Sequence, residues 1–437
     1  MKRNLLKAGF IAALAITNLG FAQEYQLDNF NPSDKRSINA FEPKKDSVTN
    51  FDHLRVKIGG AFALQFQGLS HKNTAVPVIT PSTGVNANEL FKISNNFNLP
   101  TANLDIDVAL YDGVNLHLRT FLSSRHHNET YVKGGYLQID KLDFIKKDFL
   151  KDVMKYATIK IGQDEMNYGD AHFRRTDNAY SITNPFIAGN ILMDAYATFP
   201  FMEVYYRRDG FIGMVGASNG RLNQTATSGT APSLYAKLGY DKQINPDLRV
   251  RLTGSIYNNA NSSRLDFYNG DRAGSRYYFV LESEKVASTG AANKGAATLN
   301  SAKVVPDFVN KMTAIMINPF VRYKGLEFFG TYETVSGRNL TEQDRRTYNQ
   351  YSAELLYRFG TEDSFYFGGR YNQADGKLIT GEDITVKRYN IGGGWFMTKN
   401  ILAKAEYVNQ KHDGYPAKSI FNGGEFKGYV IEAVISF

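Results

Sequence analysis

The sequence predicts an all-β fold: a transmembrane antiparallel β-barrel of about 16 strands, with long loops at one end and one loop turned inward as a constriction. Three observations carry this. Segments in which apolar and polar residues alternate recur along the chain, as strands between two different surroundings require. Short and long connections between these segments alternate. After the amino terminus no apolar run reaches the roughly 18 residues of a membrane helix, and mean hydropathy is −0.36, as expected where only every second residue meets lipid.

The chain opens on Lys2, Arg3 and Lys7, then an apolar run from Ala8 to Ile16, then Gly20 and Ala22 before Gln23. This pattern reads as a secretory signal peptide over residues 1–22. Without its three basic residues the net charge of +8 falls to +5. No Cys follows the apolar run, so a lipid anchor is not expected, and the absence of any Cys also excludes disulfides, thiolate catalysis and Cys metal sites. Residues 23–51 are polar and are read as a loosely ordered periplasmic lead-in, with the barrel over 52–437.

The first strand spans Leu54 to Gln67, where Leu54, Val56, Ile58, Phe62, Leu64 and Phe66 alternate with Arg55, Lys57, Ala61, Ala63 and Gln65. A polar loop, His71 to Pro100, follows. Leu104 to Leu110 and Val114 to Leu118 flank Asp112-Gly113, a hairpin signal. Thr130 to Ile139 is strand-like, Leu142 to Lys155 is the one helix-like patch and reads as a short amphipathic turn, and Ala157 to Gln163 resumes alternation. Strands then follow at Met202–Arg208, Phe211–Ser218, Leu234–Tyr240 and Leu248–Ile256. Gly274–Glu284 also looks like a strand. Counting it as a span would put the short Lys324-Gly325 turn on the loop side. Reading Asn259–Lys311 as one long excursion restores the alternation. The remaining strands are Met312–Tyr323, Leu326–Val335, Tyr348–Phe359, Ser364–Asn372, Thr385–Phe396, Ile401–Gln410 and Glu425–Phe437.

In the last of these, Tyr429, Ile431, Ala433, Ile435 and Phe437 share one face, and the chain stops on Phe437. This strand resembles the closing strand by which outer-membrane barrels are marked for the barrel-assembly machinery. Tyr240, Tyr323, Tyr357, Phe359, Phe365, Phe367 and Trp395 sit beside the short turns, where rings with a wet edge gird the lipid interface. The opposite face carries cations at Arg55, Lys57, Arg119, Lys160, Arg207, Lys237, Arg249, Arg251, Arg322, Arg358, Arg370, Arg388 and Lys404. It carries anions at Asp105, Asp107, Glu203, Glu327, Glu333, Glu354, Glu406 and Glu432. Excess positive charge on a narrow wall enriches anions. A lattice of Arg–carboxylate pairs that only stiffens the wall is the competing reading.

Asn167 to Ala195 is a long stretch without clean alternation before the strand at Met202–Arg208, and it holds His172, Arg174, Arg175 and Asp177 beside Phe173, Tyr180 and Phe186. It is the expected pore constriction, with Arg174 and Arg175 on the anion path and His172 read as an ordinary polar contact. The run GQDEMNYGDAHFRRTDN (162–178), followed by Asn184-Pro185-Phe186, resembles the corresponding region of porin O/P-type, phosphate-selective outer-membrane proteins, including Bacteroidetes members. The resemblance implies a 16-stranded, usually trimeric barrel with an inward loop and basic residues that guide small anions. Lysine here is scattered, unlike that family's dense lysine lining.

No HExxH, GxSxG, Walker or EF-hand motif occurs. His126 and His127 with Asp177 have the residue types of a barrel-rim enzyme site, but nothing in the sequence brings them together, and enzymatic activity is not expected. No cofactor or metal is expected, and export with a modest charge argues against nucleic acid. The expected function is passive diffusion of small hydrophilic solutes and ions across the outer membrane, with weak anion preference. The alternative is a plugged barrel that serves as partner subunit of a secretion or uptake complex.

Overall fold

The computed structural model describes residues 27–46, 51–81, 84–122, 131–174, 180–192, 198–220, 230–262, 265, 267–268, 276–283 and 302–437. The strands are β1 (Arg55–Lys72), β2 (Asn96–Tyr111), β3 (Val114–Leu122), β4 (Tyr131–Ile139), β5 (Ala157–Glu165), β6 (Thr198–Arg208), β7 (Phe211–Ser218) and β8 (Ser233–Asn245). They continue as β9 (Leu248–Asn259), β10 (Asn310–Tyr323), β11 (Leu326–Arg338), β12 (Arg346–Phe359), β13 (Phe365–Lys377), β14 (Asp383–Thr398), β15 (Ile401–Asp413) and β16 (Glu425–Ser436). Each strand pairs antiparallel with its sequence neighbours, and β1 pairs with β16 to close the barrel. Closure leaves no sheet edge, which is what allows strands to cross a bilayer.

The sixteen segments read from alternation are the sixteen strands, mostly longer at the loop end than the pattern shows. The outward residues of β1 illustrate why the pattern was legible. Leu54, just before the strand, and Val56, Ile58 and Leu64 within it are exposed, whereas Ala61, Ala63 and Gln65 are buried. Two-residue turns join β2 to β3, β6 to β7, β8 to β9, β10 to β11 and β14 to β15 at one rim. At Asp209 and Gly210 both central residues have positive φ (53° and 92°), the turn that matches strand twist. At this rim Tyr357, Phe359, Phe365 and Trp395 stack in sequence with ring centroids 5.6–6.0 Å apart.

The helix-like patch is a short turn, as expected: only Lys151–Met154 is helical, and Asp148 and Leu150 take left-handed φ, which breaks the helix before it can lengthen. Two expectations differ from the structure. The lead-in, read as loosely ordered, is packed into the rim over residues 27–46, because Phe41 and Glu42 find partners inside the barrel. The Asn259–Lys311 excursion is indeed one connection, but its described residues fold back into the barrel. Tyr268 and Tyr277 are buried there and pair with wall carboxylates Glu333 and Glu406. The proposed signal peptide, His126, His127, Arg175, Asp177 and Ala195 lie outside the described residues.

The barrel interior is therefore the core of the molecule. Met166, Tyr168, Ile191, Leu192, Phe267 and Tyr268 from the connections pack against Tyr257, Met316 and Val335 of the wall. The C-terminus is part of the closing seam. Phe437 N donates to Gly60 O and Gly60 N donates to Phe437 O, both at 3.0 Å. Deleting Phe437 removes both bonds and an outward ring. The expected result is less of the folded, heat-modifiable form on electrophoresis; wild-type yield would show the seam does not depend on it.

Candidate functional site: the barrel lumen

The inward connection between β5 and β6 leaves the wall at Met166 and crosses the lumen. Gly169 has φ of +66°, and a Cβ there would lie 2.1 Å from Met316 Sδ, so only glycine lets the backbone pass this close to the wall. Gly169 N donates to Ser255 Oγ (3.0 Å) and Asp170 N to Asn318 Oδ1 (2.8 Å). Further on, Ile187 N donates to Glu406 (2.8 Å), and Ile191 N and Leu192 N both donate to Gln350 Oε1 (2.9 and 2.7 Å). Buried backbone donors are thus satisfied by wall side chains rather than by water.

Charged groups hold the lumen in three clusters. In the first, Lys237 of β8 and Arg251 of β9 face two carboxylates from different segments. Arg251 donates to both oxygens of Asp170 at 2.8 Å and to Glu42 at 2.6 Å, and Lys237 lies 2.8 Å from Asp170 and 2.9 Å from Glu42. Burial alone would raise the Asp170 carboxyl, but Arg251 and then Lys237 outweigh it and bring its pKa down to about 2. In the second, Glu354 of β12 takes Arg174 from the inward loop and Arg370 of β13 (2.8 Å). Arg370 also donates to Ala188 O (2.6 Å) and Asn184 Oδ1 (3.0 Å). In the third, Glu432 of β16 takes Lys404 of β15 (2.7 Å) and Arg276 of the excursion (2.5 Å).

The depressed Asp170 value has a pH consequence. A carboxyl lowered on folding contributes stability that is full above its ordinary value of 3.8 and lost as pH falls toward about 2. The destabilisation caused by Asp170→Asn is expected to be constant from pH 7 to about 4 and to shrink below that. Thermal unfolding of both proteins over this range checks it; a penalty that already declines near pH 6 would contradict the pairing.

The sequence-selected residues fall into two groups. Arg249 pairs with Asp241 (2.7 Å), Arg322 with Asp363 (2.5 Å) and Arg358 with Glu327 (2.8 Å), and Arg251, Arg370 and Arg174 are held as above. Arg388 donates to Gln410 Oε1 (2.6 Å) and Ala302 O (2.6 Å). These are a lattice. His172 contacts Asn167 Oδ1 at 2.9 Å and lies against the Phe173 ring. Lys160 and Arg207 differ: among the described residues neither has a carboxylate within salt-bridge distance. Lys160 Nζ sits 4.6 Å over the Tyr136 ring; Arg207 donates to Pro43 O and to Thr158 Oγ1 (2.8 Å). Both line a small cavity of about 60 Å³ with Tyr136, His172 and Tyr180 and the carboxylates Glu42, Asp164, Glu165 and Glu203. Below it, two larger cavities of about 610 and 740 Å³ open toward the turn rim.

Sequence reasoning missed Asn39, Phe41 and Glu42 in the lead-in, Asp170 in the inward loop and Arg276 in the excursion. Phe41-Glu42-Pro43, an apolar–acidic step in an otherwise polar stretch, was the only local signal for the lead-in residues.

No protein-family model and no curated protein sequence matches the chain. Solved structures do. An anion-selective porin from Comamonas acidovorans matches with a TM-score of 0.51 at 11% identity, over 88% of this chain and 100% of that one. OmpT, an outer-membrane protein of Vibrio cholerae, matches in its trimer form at a TM-score of 0.50 and 13% identity, over 88% and 100%. A loop-deletion mutant of OmpT matches at 0.50 and 12%, over the same shares. At these identities the likeness is one of fold: this chain has the fold of outer-membrane barrels.

Proposed function

We propose that the chain is an outer-membrane diffusion channel of the porin O/P type, passing small hydrophilic solutes and ions, with a weak preference for anions, phosphate-like ones included. The observation that carries the channel is the closed sixteen-strand barrel with cavities inside it; the anion preference rests on Lys160 and Arg207, two cations with no carboxylate within salt-bridge distance among the described residues, in a lumen cavity that Glu42, Asp164, Glu165 and Glu203 also line. Water-facing cations in a narrow passage raise the local concentration of anions. The paired arginines, Arg174 among them, contribute structure rather than selectivity. Assembly as a homotrimer in outer-membrane lipid, with β16 read by the barrel-assembly machinery, belongs to the same reading, as does the absence of enzymatic activity.

A second reading has its own support. Three connections fill the lumen, and most wall charges are spent on holding them. A plugged barrel acting as partner subunit of a secretion or uptake complex would have this interior. Single-channel recording in a planar bilayer under a salt gradient separates the two. Steady conductance with an anion-favouring reversal potential supports the channel with its selectivity; conductance without preference supports a general channel. Silence from folded protein favours the plugged partner.

A further inference from the structure

Residues 27–46 run from wall to wall across the turn rim. Lys35 N donates to Lys399 O (2.8 Å) beside β15, and the Ser436 hydroxyl of β16 donates to Ser33 O. Asn39 Nδ2 donates to Glu327 of β11 (2.6 Å), while Arg174 of the inward loop donates to Asn39 Oδ1 (2.5 Å). The segment then reaches β4 and β5 on the far side, where Lys45 pairs with Asp140 (3.1 Å) and donates to Ala157 O. Its deepest point is Phe41-Glu42. Phe41 is 2% exposed, packs on Phe320 and Phe329, and lies 4.1 Å under the Arg251 guanidinium. Glu42 bridges Lys237 and Arg251.

All three cavities touch this strap. Asp28, Asn29, Lys45 and Asp46 line the first of the rim cavities, residues 29–32 and 36–46 much of the second, and Glu42 and Pro43 the lumen cavity. Glu42-Pro43 is thus the partition between the lumen and the rim. The strap's apolar anchors are few: Phe41, the buried Leu27, Ile38 against the Phe186–Phe396 cluster and Phe30 stacked on Tyr136. The remaining attachment is by hydrogen bonds and ion pairs. Lys237 and Arg251 would each retain Asp170 if Glu42 left. Arg251 also pairs with Asp241 (3.0 Å), which Arg249 shares, so without Glu42 the cluster holds three cations against two carboxylates and carries a net positive charge inside the lumen.

We infer that residues 27–46 form a displaceable plug, and that Lys237 and Arg251 are a carboxylate-binding site whose resident occupant is the chain's own Glu42. The strap closes the rim side of the lumen while its carboxylate is seated, and a free carboxylate takes the same place when it is not. This inference rests on the channel reading above only for its readout.

The test is single-channel recording of the full-length wild type, the Glu42→Ala variant and a variant lacking residues 27–46, each checked for heat-modifiable folding. Both variants are expected to conduct at least about twofold more than the wild type. Sodium succinate should then lower the conductance of Glu42→Ala in a saturable way, relative to sodium chloride at equal ionic strength, and leave the wild type unchanged. Variants that conduct while the wild type is silent would support the plug and overturn the open-channel reading of the resting protein. Conductance equal to wild type in both variants would overturn the plug while leaving the channel reading intact. Silence in all three would overturn both. A succinate response absent from Glu42→Ala would overturn the carboxylate site.

Discussion

Glu354→Ala is expected to release the inward connection. Glu354 is the only carboxylate in salt-bridge contact with Arg174 and with Arg370 among the described residues. Both guanidinium groups are buried, at 5% and 7% exposure, so truncation leaves two uncompensated charges inside the barrel. Breaking a buried pair in this way costs about 3–5 kcal/mol, most of it the penalty of the stranded charge. Arg370 can fall back on Ala188 O and Asn184, whereas Arg174 keeps, among the described residues, one hydrogen-bond partner, Asn39, and the faces of Phe320 and Phe329. The cost therefore falls on the connection and the lead-in rather than on the sixteen-strand ladder, whose hydrogen bonds are untouched. Hydrogen exchange of residues 166–192 should accelerate by two orders of magnitude or more while strand amides stay protected, since about 1.4 kcal/mol corresponds to a factor of ten. Unchanged protection of the connection would show that its backbone contacts to Ser255, Asn318 and Gln350 suffice alone. Arg174→Ala is the control. It leaves Glu354 paired with Arg370, so its effect should be clearly smaller.

Lys160→Glu combined with Arg207→Glu is expected to reverse ion preference. Each substitution changes the local charge by two units. At about 8 Å through water, one unit charge acts on a passing ion with roughly 0.5 kcal/mol. Each substitution thus raises an anion by about 1 kcal/mol and lowers a cation by the same amount, before screening. Even with screening the permeability ratio should move on the order of tenfold toward cations. The reversal potential under a salt gradient reads this directly, and it should move less at 1 M salt than at 0.1 M. The same pair of changes at Arg249 and Arg358 serves as comparison. Those arginines are already spent on Asp241 and Glu327, so altering them should disturb folding more than selectivity. A reversal potential unmoved by the Lys160 and Arg207 changes would place the selective passage elsewhere, or nowhere.

The barrel was legible because lipid and lumen impose opposite chemistries on alternate residues, and this writes a period of two into every strand. Even the length of the Asn259–Lys311 connection followed from parity, since an odd extra span would have turned the later short turns to the wrong side. The wall cations at Lys160, Arg249 and Arg370 could be assigned to the lumen face by the same rule. Their partners could not. Whether Arg251 meets Asp170, Glu42 or solvent depends on where two irregular segments travel, and irregular backbone carries no periodicity. The lead-in is the sharpest case. Its polar composition is that of a solvated tail, yet it is seated, because the barrel offers an aromatic floor to Phe41, two cations to Glu42 and further partners to Ser33, Lys35, Asn39 and Lys45. Leu142–Lys155 was legible as a short turn: its helical spacing is real, and left-handed residues at Asp148 and Leu150 hold the helix to one turn.

The strap also has a consequence for the order of assembly. Its anchor points belong to both ends of the chain: Ser33 meets Ser436, 403 residues away, and Lys35 meets Lys399. Contacts of such separation form late, because the intervening chain must be organised before they return any free energy. β16 is the last strand in the chain and supplies one of the two walls that the strap spans. A barrel still open at the β1–β16 seam therefore has no complete seat for residues 33–35. Sealing of the rim is thereby coupled to closure of the wall. A partly built barrel stays unsealed, and docking of the first residues of the described chain reports that the last ones have arrived.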